Sequence, residues 1–286
     1  KSLDVLEDGI VLLPILKRES SKEKNREFQL EDFEIIRELG QGGFSTVYLA
    51  RIKETGKFCC LKRMRKENSK AYIEFDKIFK RELNALSQLS HQFILKYIAT
   101  FQTTNARYLA LEFIPGGDLK SHLQKVKTLS EEDAKFYMAE ILVAFEYLHQ
   151  ENFVYRDIKS ENFLIDDQGH IRLADFGCAK QVEEFDSLNY SYCGTLDYMA
   201  PEMTQNKGYT ATIDYYSLGV LLYEMLVGTL PFSRYIEESD LTYAINNIKP
   251  TIPYKFSNNL RDLLFKLLEK DPSKRLGAMD GIKEIM

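Results

Sequence analysis

Tryptophan is missing from this 286-residue chain, and cysteine, histidine, proline and glycine are sparse, at 4, 4, 7 and 15 residues. So little Pro and Gly excludes a collagenous or low-complexity protein. Four cysteines, with Cys59 and Cys60 adjacent, are too few for a disulfide scaffold and point to a reducing, intracellular compartment. Neither sign of charge dominates. With 38 basic and 43 acidic residues the net charge is -5, which argues against nucleic-acid binding and against an anionic-membrane surface. A membrane span is absent too. The longest apolar run, Ile213–Val227, contains Asp214 and Glu224 and is too short to cross, so it reads as a buried helix. Near the start, Ile10–Leu16 is broken by Pro14 and preceded by acids, not by the basic residues of a signal peptide. It reads as an apolar strap packed on the domain.

What is present is ample apolar content, 44% of residues, enough to close one large domain or two modest ones. Polar Ser20–Glu27 reads as a linker. Strand-like runs follow at Phe33–Leu39, Thr46–Ile52, Lys57–Met64, Lys96–Phe101 and Arg107–Phe113. One helix interrupts them, its apolar face formed by Phe75, Ile78, Phe79, Leu83, Leu86 and Leu89. After Pro115-Gly116-Gly117 the pattern turns helical. Ser130-Glu131-Glu132-Asp133 predicts a capped helix start, with Phe136, Met138, Ile141, Leu142, Phe145 and Leu148 as its core face. Further helices are expected at Ala211–Val227 and Ser257–Leu268. The class is α+β: a small strand-rich lobe, a Gly-containing hinge and a larger helical lobe.

The chemistry-bearing residues begin at Gly40-Gln41-Gly42-Gly43-Phe44-Ser45. Glycines let backbone amides approach phosphate, but an ordinary hairpin turn would explain this run equally well. Lys62 changes the balance. Period two puts it on one strand face with Phe58, Cys60 and Met64, and a lysine on an apolar face needs a partner or a ligand. Glu82 lies on the inner stripe of the helix, between Ile78 and Leu86, so the two predict a buried ion pair that holds phosphates. The decisive run is Tyr155-Arg156-Asp157-Ile158-Lys159-Ser160-Glu161-Asn162, followed by Asp175-Phe176-Gly177. An acid, a lysine and an amide in one loop, then a second acid, form a set for in-line phosphoryl transfer. Asp157 would take or orient the hydroxyl proton, Lys159 would neutralise transferred charge, and Asn162 with Asp175 would hold Mg²⁺.

At these residues the chain resembles a eukaryotic protein kinase, from Phe33 to the C-terminus. Tyr155 where His is usual, and Cys193-Gly194-Thr195 before Ala200-Pro201-Glu202, resemble the AGC group. Lys159 two residues after Asp157 is the serine/threonine pattern. The resemblance implies the two-lobed kinase fold. Residues 1–32 would be an extension and linker. The small lobe, 33–114, would be a five-stranded antiparallel sheet plus one helix, and the mainly helical large lobe would span 115–286. It implies ATP and Mg²⁺ as cofactors, with adenine held by backbone at Glu112 and Ile114 beside the gatekeeper Leu111. Val47 and Cys60 would cover the ring, Leu164 would lie beneath it, Asp118 would reach the ribose, and Gly40, Gly42 and Gly43 would cradle phosphate. It implies an ion pair between Glu202 and Arg275, a catalytic loop anchored by Asp214, and a lobe-spanning stack of Leu86, Tyr97, Tyr155 and Phe176.

Asp118, Glu161 and Glu224 match positions where such kinases pair substrate arginines, so protein substrates with basic residues before the Ser/Thr are expected. Glu224, interrupting an apolar helix, is expected to face a cleft. Ser191 matches the activating phosphosite of an upstream kinase, with Arg156 and Lys180 as its cationic partners. Departures from the pattern are Ser45 for the third glycine, Cys60 for alanine, Ser160 for proline and Tyr216 for tryptophan. None removes a catalytic group. A nucleotide-binding pseudokinase scaffold is the alternative, and it requires loss of Lys62, Asp157, Asn162 or Asp175. The expected location is cytoplasmic, with the nucleus as the second choice.

Overall fold

The structure is a computed structural model that describes residues 28–41, 45–66, 70–184, 187–205 and 207–286, the side chains of 70–75 excepted. The N-terminal strap and linker, together with Gly42 and Gly43, lie outside the described residues. Five strands, β1 (Phe33–Gln41), β2 (Ser45–Ile52), β3 (Phe58–Arg65), β4 (Tyr97–Gln102) and β5 (Ala106–Glu112), form one sheet in the order β1-β2-β3-β5-β4. Every neighbouring pair is antiparallel. Helix α1 (Lys70–Gln88) falls between β3 and β4 in the chain.

Register decides what each face of the sheet carries. Val47 opposes Lys62, Lys62 opposes Leu109, and Cys60 opposes both Leu49 and Leu111, so these side chains share one face. The alternate residues Ala50, Cys59, Leu61 and Ala110 close a separate core with Phe33 and Ala99 on the other face. Phe58 departs from the sequence expectation. It shares the face of Lys62 as expected but begins β3 at that face's outer edge and is 56% exposed, so the apolar surroundings of Lys62 come from Cys60 and Met64 instead.

The second half of the chain is helical, with short strands only in its loops. Helix α2 (Leu119–Val126) precedes α3 (Glu131–Gln150), whose first turn holds three acids against the positive helix end. Ser130 caps α3 by accepting from the Asp133 N–H at 3.0 Å. Met138, Ile141, Leu142, Phe145 and Leu148 are buried as expected, but Phe136 is 47% exposed. It lies two residues before Met138, about 200° around the helix, and rests against Tyr137 and His170 at the surface.

The loop strands β6 (Phe153–Val154), β7 (Phe163–Ile165), β8 (Ile171–Leu173) and β9 (Lys180–Gln181) follow, pairing β6 with β9 and β7 with β8. After α4 (Pro201–Thr204) comes α5 (Thr212–Val227), buried from Ile213 through Leu226. It stops at Gly228, whose φ of 80° is the left-handed cap. A Cβ there would stand 2.4 Å from the Lys127 carbonyl oxygen, so only glycine fits. Helices α6 (Glu238–Asn247) and α7 (Asn258–Leu267) complete the fold, and α7 packs on α5. Among the described residues no helix is long and apolar enough to cross a membrane.

A single apolar cluster runs from Met64, Phe79 and Leu109 of the sheet half to Phe145, Leu218 and Leu264 of the helical half. Leu86, Tyr155 and Phe176 are buried within it and Tyr97 packs against it. The Tyr155 and Phe176 rings meet edge to face at 5.4 Å. Of the expected lobe-spanning set, Tyr155 and Phe176 are in direct ring contact, and Leu86 and Tyr97 belong to the same core.

Candidate active site

Asp214 organises the loop in which the sequence places the candidate catalytic residues. It is fully buried in the first turn of α5. Its Oδ2 accepts from the Tyr155 N–H and its Oδ1 from the Arg156 N–H, both at 2.9 Å, and the His149 ring lies 3.2 Å from Oδ2. Charge-assisted bonds of this kind hold backbone in conformations it would otherwise leave. Arg156 is such a case, with φ of 71° in the left-handed region that costs a non-glycine residue about 1–2 kcal/mol. Asp175, with φ of 53°, is another. Both flank the proposed reaction centre.

Asp157 comes next in the chain, and each of its oxygens is engaged. Lys159 Nζ donates to Oδ2 at 2.8 Å, and the Thr195 hydroxyl donates to Oδ1 at 2.9 Å. Asn162 Nδ2 donates to the Asp157 carbonyl at 2.8 Å and reaches Oδ2 at 3.3 Å. Lys159 also donates to Thr195 Oγ1 at 3.2 Å, so Thr195 ties the stretch from Gly177 to Ala200, the activation segment in the resemblance, to acid and lysine together. Burial opposes the charge on Lys159, but its bond to Asp157 and the surrounding carboxylates win and raise its pKa. Gly194, just before Thr195, makes the approach possible. A Cβ there would sit 2.5 Å from the Arg156 carbonyl oxygen.

Lys62 and Glu82 form the pair that the two amphipathic patterns predict. Lys62 Nζ lies 2.6 Å from Glu82 Oε2 and 3.4 Å from Asp175 Oδ1, with Glu82 only 2% exposed. Burial pulls the lysine toward neutrality, yet the two carboxylates outweigh it and hold the ammonium above its ordinary pKa. Lys62 in turn holds the Asp175 carboxyl below its usual range, helped by the Gly177 N–H and Lys159. Asp175 Oδ1 faces Lys62 and the Gly177 N–H, while Oδ2 has no partner among the described residues. Asn162 turns its nitrogen toward Asp157, which leaves oxygen to offer. A half-exposed carboxylate and an amide oxygen fit a hard cation such as Mg²⁺ that takes its other ligands from phosphate and water.

The apolar wall expected to cover adenine is assembled by register. Val47, Cys60 and Leu111 lie on the Lys62 face, and Gly40 opposes Val47 at the end of the hairpin where β1 leads into β2. Glu112 donates its N–H to the Lys96 carbonyl at 3.0 Å, and Ile114 packs half-buried on the core. Beyond the hinge, Gly116 N–H donates to Ile165 O and Ile165 N–H to Gly117 O, which brings Leu164 beside Asp118. Asp118 itself is the N-cap of α2. Its Oδ1 accepts from the Ser121 N–H at 2.7 Å and its Oδ2 from the Ser121 hydroxyl at 2.9 Å, a structural duty the sequence pattern did not indicate.

The other expected residues fall in two groups. Glu161 is exposed on the catalytic loop, but Glu224 does not stand open to a cleft as expected. It is 4% exposed, because Tyr198 donates to its Oε2 and Lys120 to its Oε1. Ser191 meets Arg156, whose Nη1 donates to Ser191 Oγ at 2.6 Å and to Tyr209 Oη at 3.1 Å. Arg156 Nη2 is buried without a partner, and among the described residues no carboxylate meets this guanidinium. Lys180, placed beside Ser191 by the resemblance, is instead exposed on β9 opposite Val154 and makes no bond to Ser191 among the described residues. Further down, Arg275 grips Glu202 with two bonds, of 2.6 and 2.9 Å, both residues buried. Tyr216, in the position of the missing tryptophan, lies under the Arg275 guanidinium.

Sequence reasoning passed over Thr195, Lys120 and Tyr209 as site residues. Each contacts its partner across a long stretch of chain, and no local pattern marks a hydroxyl or a surface lysine for such a role.

The protein kinase domain model matches residues 33–285. The chain is 38% identical to human ribosomal protein S6 kinase alpha-2 over 99% of its own length and 39% of the relative's. It is 41% identical to ribosomal protein S6 kinase alpha-6 of Danio rerio over 88% of this chain and 34% of that one. Protein kinase 3 of Dictyostelium discoideum shares 38% over 93% of this chain and 30% of its own. The chain thus spans at most about two fifths of the length of these relatives. With the anchored Asp157 loop, the Lys62–Glu82 pair and a match over nearly all the described residues, this chain belongs to the protein kinase domain family.

Proposed function

We propose that the chain is a serine/threonine protein kinase domain, transferring the γ-phosphoryl group of ATP to hydroxyls of protein substrates. The observation that carries this reading is the Asp157 carboxylate. Lys159, Thr195 and Asn162 aim it from three sides, and the Lys62–Asp175 contact closes the site from the other lobe. In the reaction the substrate hydroxyl oxygen forms a bond to the γ-phosphorus as the bond to the bridging oxygen of ADP breaks. Asp157 orients the hydroxyl and receives its proton. Lys159, two residues on, neutralises the charge of the group in transit, and Lys62 holds the phosphates that remain. Mg²⁺ held by Asn162 and Asp175 would supply further charge neutralisation. The pseudokinase alternative needs one of Lys62, Asp157, Asn162 or Asp175 to be lost, and all four are present.

Regulation at Ser191 is supported by the chemistry around it. A buried guanidinium with an unpartnered Nη2 lies against the Ser191 hydroxyl, and a phosphate there would bring oxygens to that atom. Arg156 adjoins Asp157, so the pairing would couple the activation segment to catalysis. An upstream kinase would supply the phosphate. Lys180 would join only after the segment moves. Substrates with basic residues before the acceptor are supported by Glu161 and Glu224, which both reach one ammonium. A cytoplasmic setting, with the nucleus as second choice, is supported only by the sparse cysteines.

The test is a serine/threonine peptide library with Mg·ATP. Phosphorylation enriched in peptides with arginine before the acceptor is expected. Asp157→Asn should keep ATP binding and lower turnover by about 10²–10⁴-fold. Near-normal turnover in that variant would refute the assignment.

A further inference from the structure

The Glu161–Glu224 site already contains a cation of the chain's own. Lys120, in the first turn of α2, directs Nζ to 3.3 Å from Glu224 Oε1 and 3.6 Å from Glu161 Oε1. Glu224 is buried, and Tyr198 takes its other oxygen, so among the described residues Lys120 is the cation that answers its charge. Nothing about α2 demands this. Lys120 lies two residues past the Asp118 cap and is 31% exposed, on a flexible stem that could equally reach into water. Burial acts against its charge, but Glu224 and Glu161 overcome that and raise its pKa, so the ammonium is firmly charged where it sits.

We propose that Lys120 is a specificity-determining residue, an internal cation that occupies the Glu161–Glu224 subsite and competes there with an arginine of the substrate. This inference rests on the protein-kinase reading for the meaning of the subsite. Its reasoning is separate. A substrate guanidinium can gain the Glu224 carboxylate only by displacing an ammonium already in contact, so the preference for arginine at that position is reduced by the strength of the internal pair. The acidic pair then selects arginine weakly in the native chain, and Lys120 sets how weakly. Loss of the lysine would leave a buried carboxylate oxygen unanswered, and the subsite would call for a cation from outside.

The test uses binding, so it does not need phosphoryl transfer. A fluorescein-labelled serine peptide with arginine two residues before the serine is compared with its twin carrying neutral citrulline there, by fluorescence anisotropy on the whole chain. In the native protein the two dissociation constants should differ by only about twofold. In Lys120→Ala and Lys120→Met the arginine peptide should gain about tenfold over its twin, the scale of one desolvated cation–carboxylate contact. Lys120→Arg should keep the native ratio, and Glu224→Gln added to Lys120→Ala should abolish the gain. An unchanged ratio in both neutral variants overturns the proposal, as does a full tenfold preference already present in the native chain. Failure of every variant to bind either peptide overturns it too. A library without turnover would count against the kinase reading while leaving these ratios to be judged on their own. Thermal unfolding of each variant shows whether the fold is intact. Should Lys120→Ala unfold, Lys120→Met, which keeps the apolar stem, decides the matter.

Discussion

At the scale of single residues, environment separates groups that are chemically alike. Four thiols make the point. Burial pushes Cys59 up to about 11 and Cys60 up to about 12, and the bond to Cys193 together with burial raises Cys178 strongly. Cys193 moves the other way, to about 7, because Cys178 donates to its sulfur and Arg156 lies near, against burial. Iodoacetamide at neutral pH should therefore alkylate Cys193 first, with a rate that levels off above about pH 7, read by peptide mass mapping. Equal labelling of all four would contradict the assignment. Two phenylalanines of α3 give a similar contrast. Phe145→Ala opens a void in the shared core and should cost about 3–5 kcal/mol in denaturant unfolding. Phe136→Ser, at the surface, should stay within about 1 kcal/mol. The helical period alone selects Phe145, but the same spacing admits Phe136, because the apolar stripe of α3 is wider than the face the core covers.

Elements are held by ion pairs of very different worth. Arg275 joins the segment after α7 to Glu202 in α4, with Arg275 1% exposed and a third bond from Nη1 to the Thr212 carbonyl. Arg275→Ala would strand a buried carboxylate and should cost about 3–5 kcal/mol. By comparison, Arg51 and Glu34 of the β1–β2 hairpin are each about half exposed, and Arg51→Ala should cost no more than about 1 kcal/mol. Urea unfolding of both variants checks the contrast, and comparable losses would show that burial does not set the difference. The five sheet strands, α5 and α7 were legible in the sequence to within a residue or two, whereas α2 and α6 were not singled out. Strand alternation, the Ser130 cap and the apolar run ending at Gly228 are all local signals. Local patterns could not show that Asp118 spends both oxygens on Ser121, since the run Asp-Leu-Lys-Ser serves a cap and a ligand site equally well.

For the whole molecule, the contact between Lys62 and Asp175 joins the two halves and depends on pH. The folded chain holds Asp175 below the ordinary carboxylate range, so it binds protons less readily than the unfolded chain does. Its stabilising contribution is complete above the unfolded carboxylate pKa and is lost as pH falls through the lowered folded value. The difference in Tm between native protein and Asp175→Asn should thus be constant near neutrality and shrink in acid. A gap that widens in acid would reverse the sign argued here. The sequence by itself pointed to the proposed chemistry. The order and spacing of Lys62, Glu82, Asp157, Lys159, Asn162 and Asp175 suggest the reaction class proposed above, because each residue type would answer one demand of phosphoryl transfer. Tertiary structure decided what those residues touch. Thr195 on Asp157, Tyr209 on Arg156, Lys120 on Glu224 and the distance of Lys180 from Ser191 all depend on where loops far apart in the chain come to rest. Side-chain periodicity encodes which face is buried, whereas partners across a site are selected by packing of the whole core, and that information is held by no single stretch of sequence.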